Sequence, residues 1–308
     1  MLLSDIVLSI LIFVLVALTA GNNLSVSSGP LISGRILRKG NGILLAILGY
    51  ISGFLIEGNF LRNGISLIFP FNNQLLLFIV LSISISIFVI ANKKRVPESL
   101  SITFTCALVG VSLAYTNHIQ TQFIYIVLFW VTATLVSMFA SFYLMKFIRN
   151  KLYKGNIWKT VSSIKIILIA IAFLTSFTLG ANTIGLIYSI IPASSSIEFI
   201  IILAIIFGSI FLSLGTLKRI SQDLIPVRYA NALVSQSISI FLVELATLFS
   251  IPLSNTQTLT SGLYGTGLSY KTRLIMRKPA LSIILTWVLT AILSLVAGYV
   301  ATSVLIVH

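Results

Sequence analysis

Gly21-Asn22-Asn23 and Ser101-Ile102-Thr103-Phe104-Thr105 in the first half of the chain have counterparts in the second, Gly180-Ala181-Asn182 and Pro252-Leu253-Ser254-Asn255-Thr256. The members of each pair lie 159 and 151 positions apart, about half of the 308 residues. All four are polar islands in apolar sequence. Such a pattern predicts a duplicated membrane unit, and duplicated units with polar interruptions in each copy are the build of transporters.

Composition sets the solvent. Hydrophobic residues make up 57% of the chain and charged residues 8%, whereas a soluble domain carries roughly 25% charge. Mean hydropathy is +1.10. The net charge of +14 comes from 20 Lys and Arg against Asp5, Glu57, Glu98, Glu198, Asp223 and Glu244. These cations cluster between apolar runs, where the positive-inside rule expects them, so the charge reads as topology and no nucleic-acid partner is expected. Cys106 is the one cysteine and forms no internal disulfide; it reads as a small packed residue. The run Ile6 to Ala20 has the length of a signal-peptide core, but no basic residue precedes it, so it reads as the first membrane helix.

A span needs about 20 apolar residues. Candidates fall near 4–21, 42–60, 73–92, 120–148, 162–181, 197–217, 229–250 and 280–306, with shorter stretches near 23–36, 99–117, 183–193 and 252–268. The basic groups are Arg35, Arg38 and Lys39; Lys93, Lys94 and Arg95; Lys146 to Lys159; Lys218 and Arg219; and Lys271 to Lys278. For all of them to face the cytoplasm, 99–117 and 252–268 must each carry the chain across as broken or re-entrant helices. The expected fold is therefore an all-α polytopic membrane protein of two inverted repeats, 1–155 and 156–308, with about five crossings each. Both termini would lie outside the cell membrane, and the inverted motifs would converge near the bilayer midplane.

Backbone polar groups in lipid must be paired, so an interrupted helix survives only where protein or a water-filled cavity covers it. Asn, Ser and Thr supply donors and acceptors that replace hydration, and a half-helix N-terminus adds N–H groups that suit an oxyanion. The substrate-site candidates are Asn22, Asn23, Ser25, Thr103, Thr105, Asn182, Thr183, Ser254, Asn255 and Thr256.

These residues resemble the PiT inorganic phosphate transporters, a family that includes sulfate permeases and carries a G-A-N-D-V-A-N type motif and a P-V-S-T-T-H type motif in each inverted half. Pro252-Leu253-Ser254-Asn255-Thr256-Gln257 fits the second motif, with Gln where the family often has His. The run Ser101 to Gly110 fits it through Thr105 and Ala107-Leu108-Val109-Gly110, without the proline. Gly180-Ala181-Asn182-Thr183-Ile184-Gly185 fits the first motif with Thr183 in the aspartate's place, and Gly21-Asn22-Asn23-Leu24-Ser25 also lacks the aspartate. The resemblance covers nearly the whole chain. It implies a secondary transporter of inorganic phosphate working by alternating access, coupled to H+ or Na+, in a homodimer within membrane lipid. Sulfate or another oxyanion is the alternative substrate.

In the family the motif carboxylates are tied to ion coupling. Here the acids expected within membrane segments are Glu57 and Glu244, and intramembrane charge of that kind is expensive and usually functional or paired. They are the ion-coupling candidates, with Glu57 near Arg62 also readable as an interfacial residue. No catalytic or metal-binding constellation is expected: His118 and His308 are far apart, and six scattered acids offer little to an intramembrane enzyme. A passive channel is the remaining rival, against which the duplicated interruptions argue.

Overall fold

The computed structural model describes residues 3–69, 73–93, 98–152, 157–213, 229–270 and 277–306, and within these every regular element is helical. The first half holds α1 (Leu3–Ser27), α2 (Gly29–Ser33), α3 (Lys39–Glu57), α4 (Arg62–Ser66), α5 (Gln74–Lys93), α6 (Leu100–Thr116) and α7 (Thr121–Leu152). The second holds α8 (Ile157–Thr178), α9 (Gly185–Ser189), α10 (Ser195–Phe207), α11 (Tyr229–Leu248), α12 (Asn255–Leu268) and α13 (Arg277–Ile306). Two π-helical turns, Leu179–Ile184 and Gly208–Leu212, follow α8 and α10 without a gap.

Among the described residues, eight helical spans of 18 to 29 residues are long and apolar enough to cross a bilayer, and they fall where the apolar runs predict. Their outward faces are greasy. Leu128, Leu135, Phe139 and Tyr143 on α7, and Val288, Leu289, Ile292 and Leu293 on α13, are all exposed. The interior inverts the soluble pattern: Ser99, Thr103, Thr105, Asn182, Ser239, Ser254 and Thr258 are buried among the apolar core. Apolar surface outside and polar groups inside suit a multi-pass membrane protein whose interior serves a polar solute.

At 17 and 14 residues, α6 and α12 span only about 25 Å and 21 Å at ~1.5 Å per residue, less than the ~30 Å hydrocarbon layer. Each is continuous. The interruption expected within 99–117 and 252–268 lies at the start of each helix, where the caps Ser99 and Ser254 have extended backbone.

The packing pairs elements of one half with elements of the other. α6 runs along α13 and α12 along α7; α3 runs along α8 and α1 along α10. Small residues make these approaches possible. A methyl group on Gly110 of α6 would collide with the Leu295 carbonyl of α13, and one on Gly265 of α12 with the Met138 carbonyl of α7. These two glycines occupy matching positions 155 residues apart, as do Ser99 and Ser254.

Two expectations need correction. Gly21-Asn22-Asn23 does not interrupt its helix: α1 continues to Ser27. The chain breaks afterwards, at Ser28, where Pro30 lacks the N–H that would continue the ladder and instead sits in the first turn of α2. The second correction concerns the start of the first serine-threonine motif, set by cap geometry and treated below. The basic groups Lys94-Arg95, Lys218-Arg219 and Lys271 with Arg273 lie outside the described residues, as does His308.

Candidate functional site

Ser254 has the extended conformation of a helix cap, and its hydroxyl accepts from the Gln257 N–H at 3.2 Å. At the start of α6 the equivalent cap is Ser99, whose hydroxyl faces the Ile102 N–H at 3.5 Å. The first motif therefore begins two residues earlier than Ser101. In that register Pro97-Glu98-Ser99 aligns in sequence with Pro252-Leu253-Ser254, so the proline expected to be missing is present in the chain.

The two caps touch. Ser99 Oγ donates to Ser254 Oγ at 2.6 Å, and Ser101 Oγ donates to the Leu253 carbonyl at 3.3 Å. Thus α6 and α12 meet start to start at a buried contact, which brings the N-terminal ends of both helix dipoles together.

Asn182 anchors the approach to α12. Its Nδ2 donates to Thr247 Oγ1 at 2.9 Å and to the Ile251 carbonyl at 3.2 Å, while its Oδ1 accepts from the Leu253 N–H at 3.0 Å. The Trp130 indole adds a 2.7 Å bond to the Pro252 carbonyl. Both groups fix the extended residues that a lipid-exposed chain could not leave unpaired. Asn182 and Thr183 sit in the π-helical turn, an irregularity that recurs at functional sites. Thr183 is buried there.

Several polar atoms are left open. Asn255 is 3% exposed; its Oδ1 accepts from Ser239 Oγ at 3.1 Å, but its Nδ2 has no partner. Thr105 Oγ1 and Gln257 Oε1 are likewise buried without one. Glu98 is 4% exposed; Thr103 donates to its Oε1, and its Oε2 is unpartnered. Thr256 is half-buried on α12.

Thr103, Ser254 and Asn255 are thus gathered where α6 and α12 begin, and Asn182 supports them. The candidates on α1 are not joined to that place by hydrogen bonds among the described residues. Asn22 is half-buried and Asn23 buried, while the Ser25 hydroxyl turns back to the Asn22 carbonyl at 2.8 Å. Gln236 of α11 reaches the end of this helix, donating to the Val26 carbonyl at 2.8 Å.

Glu57 at the end of α3 and Glu244 on α11 are neighbouring half-buried carboxyl groups, and each keeps a buried Oε2 without a partner. Arg62 does not serve Glu57; it donates to the Ile191 carbonyl at 2.9 Å and lies over the Tyr188 ring. Glu98, buried beside the α6 cap, is the candidate that sequence reasoning did not single out. The signal was its place between a proline and the true cap.

Comparison with known proteins follows the same lines. Residues 19–298 match the phosphate transporter family. A protein named as a phosphate permease from Methanocaldococcus jannaschii is 25% identical over 297 residues, covering 94% of both chains. The sulfate permease CysP of Bacillus subtilis is 23% identical over 283 residues, covering 88% of this chain and 79% of its own. A solved structure titled as the sodium-dependent phosphate transporter superimposes with a TM-score of 0.84 over 99% of this chain and all of that one, at 14% identity, which establishes a shared fold. The chain belongs to the phosphate transporter family, a family of transporters rather than enzymes.

Proposed function

We propose that this member of the phosphate transporter family carries inorganic phosphate across the cell membrane by alternating access, coupled to a cation, and binds it where α6 and α12 meet. The observation that carries the reading is the contact between the Ser99 and Ser254 caps at 2.6 Å. Two helix N-termini aimed at one buried place supply N–H donors and partial positive charge to an oxyanion without a buried lysine or arginine. The open Nδ2 of Asn255 adds a side-chain donor.

The division into inverted repeats, 1–155 and 156–308, is supported by the recurrence at 155 residues of the caps and of the close-packed glycines Gly110 and Gly265. Rocking one repeat against the other about the shared contact would expose the site to each side in turn, with both termini outside.

Coupling is assigned to the Glu57–Glu244 pair. Neighbouring carboxyl groups within membrane-spanning helices are costly unless they serve a function, and such a pair suits a cation taken up in one conformation and released in the other. The coupling cation is H+ or Na+, and the similar solved structure is titled as sodium-dependent. Sulfate is the second reading, supported by the similarity to CysP.

Purified protein in proteoliposomes tests the proposal. Labelled phosphate should accumulate inside when a proton or sodium gradient is imposed, and unlabelled phosphate should compete. Vesicles that take up neither phosphate nor sulfate above the empty control contradict it.

A further inference from the structure

Phosphate and sulfate have the same shape and nearly the same size, so a site built only of donors holds both. They differ in one respect. At neutral pH phosphate still carries a proton and sulfate carries none. A carboxylate acceptor in the site separates them, because it takes a hydrogen bond from a P–OH group and meets only lone pairs and like charge from sulfate.

The structure supplies such an acceptor. Glu98 immediately precedes the α6 cap and is 4% exposed. Thr103, one turn into α6, donates to its Oε1, so the carboxyl is folded over the first turn of that helix. Its Oε2 is buried without a partner. Across the Ser99–Ser254 contact, Asn255 presents an equally buried Nδ2 with no partner. An open acceptor and an open donor therefore flank the point where the two helices begin. In a protein interior such atoms are normally satisfied, and two of them on either side of one contact mark a place that a ligand completes.

We propose that Glu98 is the specificity-determining residue of the site, its Oε2 accepting a hydrogen bond from a proton-bearing oxyanion and thereby admitting phosphate and excluding sulfate. The inference rests on the transport reading above and adds to it the class of anion chosen. Asn255 and the first-turn N–H groups of α6 and α12 hold the unprotonated oxygens, and Thr103 positions the carboxylate.

The test is uptake of labelled phosphate into proteoliposomes with unlabelled sulfate as competitor, for the parent, Glu98→Gln and Glu98→Asp. In the parent, sulfate should compete at least about 100-fold less well than phosphate. In Glu98→Gln the amide removes the repulsion and offers a donor, and the preference should shrink by at least about tenfold. Glu98→Asp withdraws the oxygen while keeping its charge, so phosphate affinity should fall with sulfate still excluded. A Glu98→Gln protein that discriminates as the parent does overturns the inference, as does a parent that sulfate inhibits as well as phosphate; both leave transport itself standing. If Glu98→Gln fails to assemble, Glu98→Asp decides, and unchanged phosphate affinity in it overturns the inference. A parent that moves no oxyanion fails the transport reading instead.

Discussion

Asn182 makes three hydrogen bonds, to Thr247, Ile251 and Leu253, from a position with no exposure. Two of them hold the residues that lead to the α12 cap and the third ties those residues to the end of α11, so its work is to shape the approach to that cap. Asn182→Ala leaves the buried Leu253 N–H without its partner, a penalty of about 1–3 kcal/mol before water enters, and frees the half-buried Ile251 carbonyl. The expected outcome is a clearly lowered unfolding temperature in detergent together with loss of phosphate uptake. Ser254→Ala removes a cap worth about 1 kcal/mol and the bridge to Ser99, so it should lower stability slightly and uptake strongly. An equal, small effect on both measurements would place Ser254 in a purely structural role. At this scale sequence reasoning singled out Asn182, Ser254 and Asn255, which the structure brings together, but began the partner motif two residues late. Ser99, Ser101, Thr103 and Thr105 alternate along one run, and each could begin a helix; only the backbone conformation selects Ser99. Glu98 escaped because a lone acid beside a proline reads as linker until its burial is seen.

Among elements, the decisive feature is backbone-to-backbone packing of the two short helices against the two long ones. Gly110→Ala and Gly265→Ala each press a methyl group into a carbonyl oxygen, of Leu295 and of Met138. Each should destabilise the protein by about 1–3 kcal/mol, read as a drop in unfolding temperature, and the two should behave alike if α6 and α12 are equivalent elements. The neighbouring carboxyl groups of α3 and α11 make a different prediction. If Glu57 and Glu244 carry a coupling proton, parent uptake under an inward proton gradient should exceed uptake at equal pH. Glu244→Gln should bring the two rates together, and a persistent difference would move the coupling elsewhere. The eight spans were legible from sequence because sustained apolar runs bounded by polar residues permit little else in lipid. The continuity of α1 was not. Glycine and asparagine weaken a helix without breaking it, and at 21–23 the ladder holds.

For the molecule as a whole, pairing runs between halves: α6 with α13 and α12 with α7, α3 with α8 and α1 with α10. Exchange of the halves maps each pair onto its mate, which is how a molecule with two inverted repeats would be organised. The proposed duplication rests on polar motifs that recur at about half the chain length, but which motif members meet was not legible, since contact between distant segments leaves no local trace. The central claim is that phosphate binds where the two short helices begin. A structure determined with phosphate bound, or with arsenate to mark the anion, tests it most directly. The account predicts anion density beside the Ser99–Ser254 contact, within hydrogen-bond reach of Asn255 Nδ2 and Glu98 Oε2. Density seated elsewhere, with that contact closed and Asn255 and Glu98 still without partners, would contradict it.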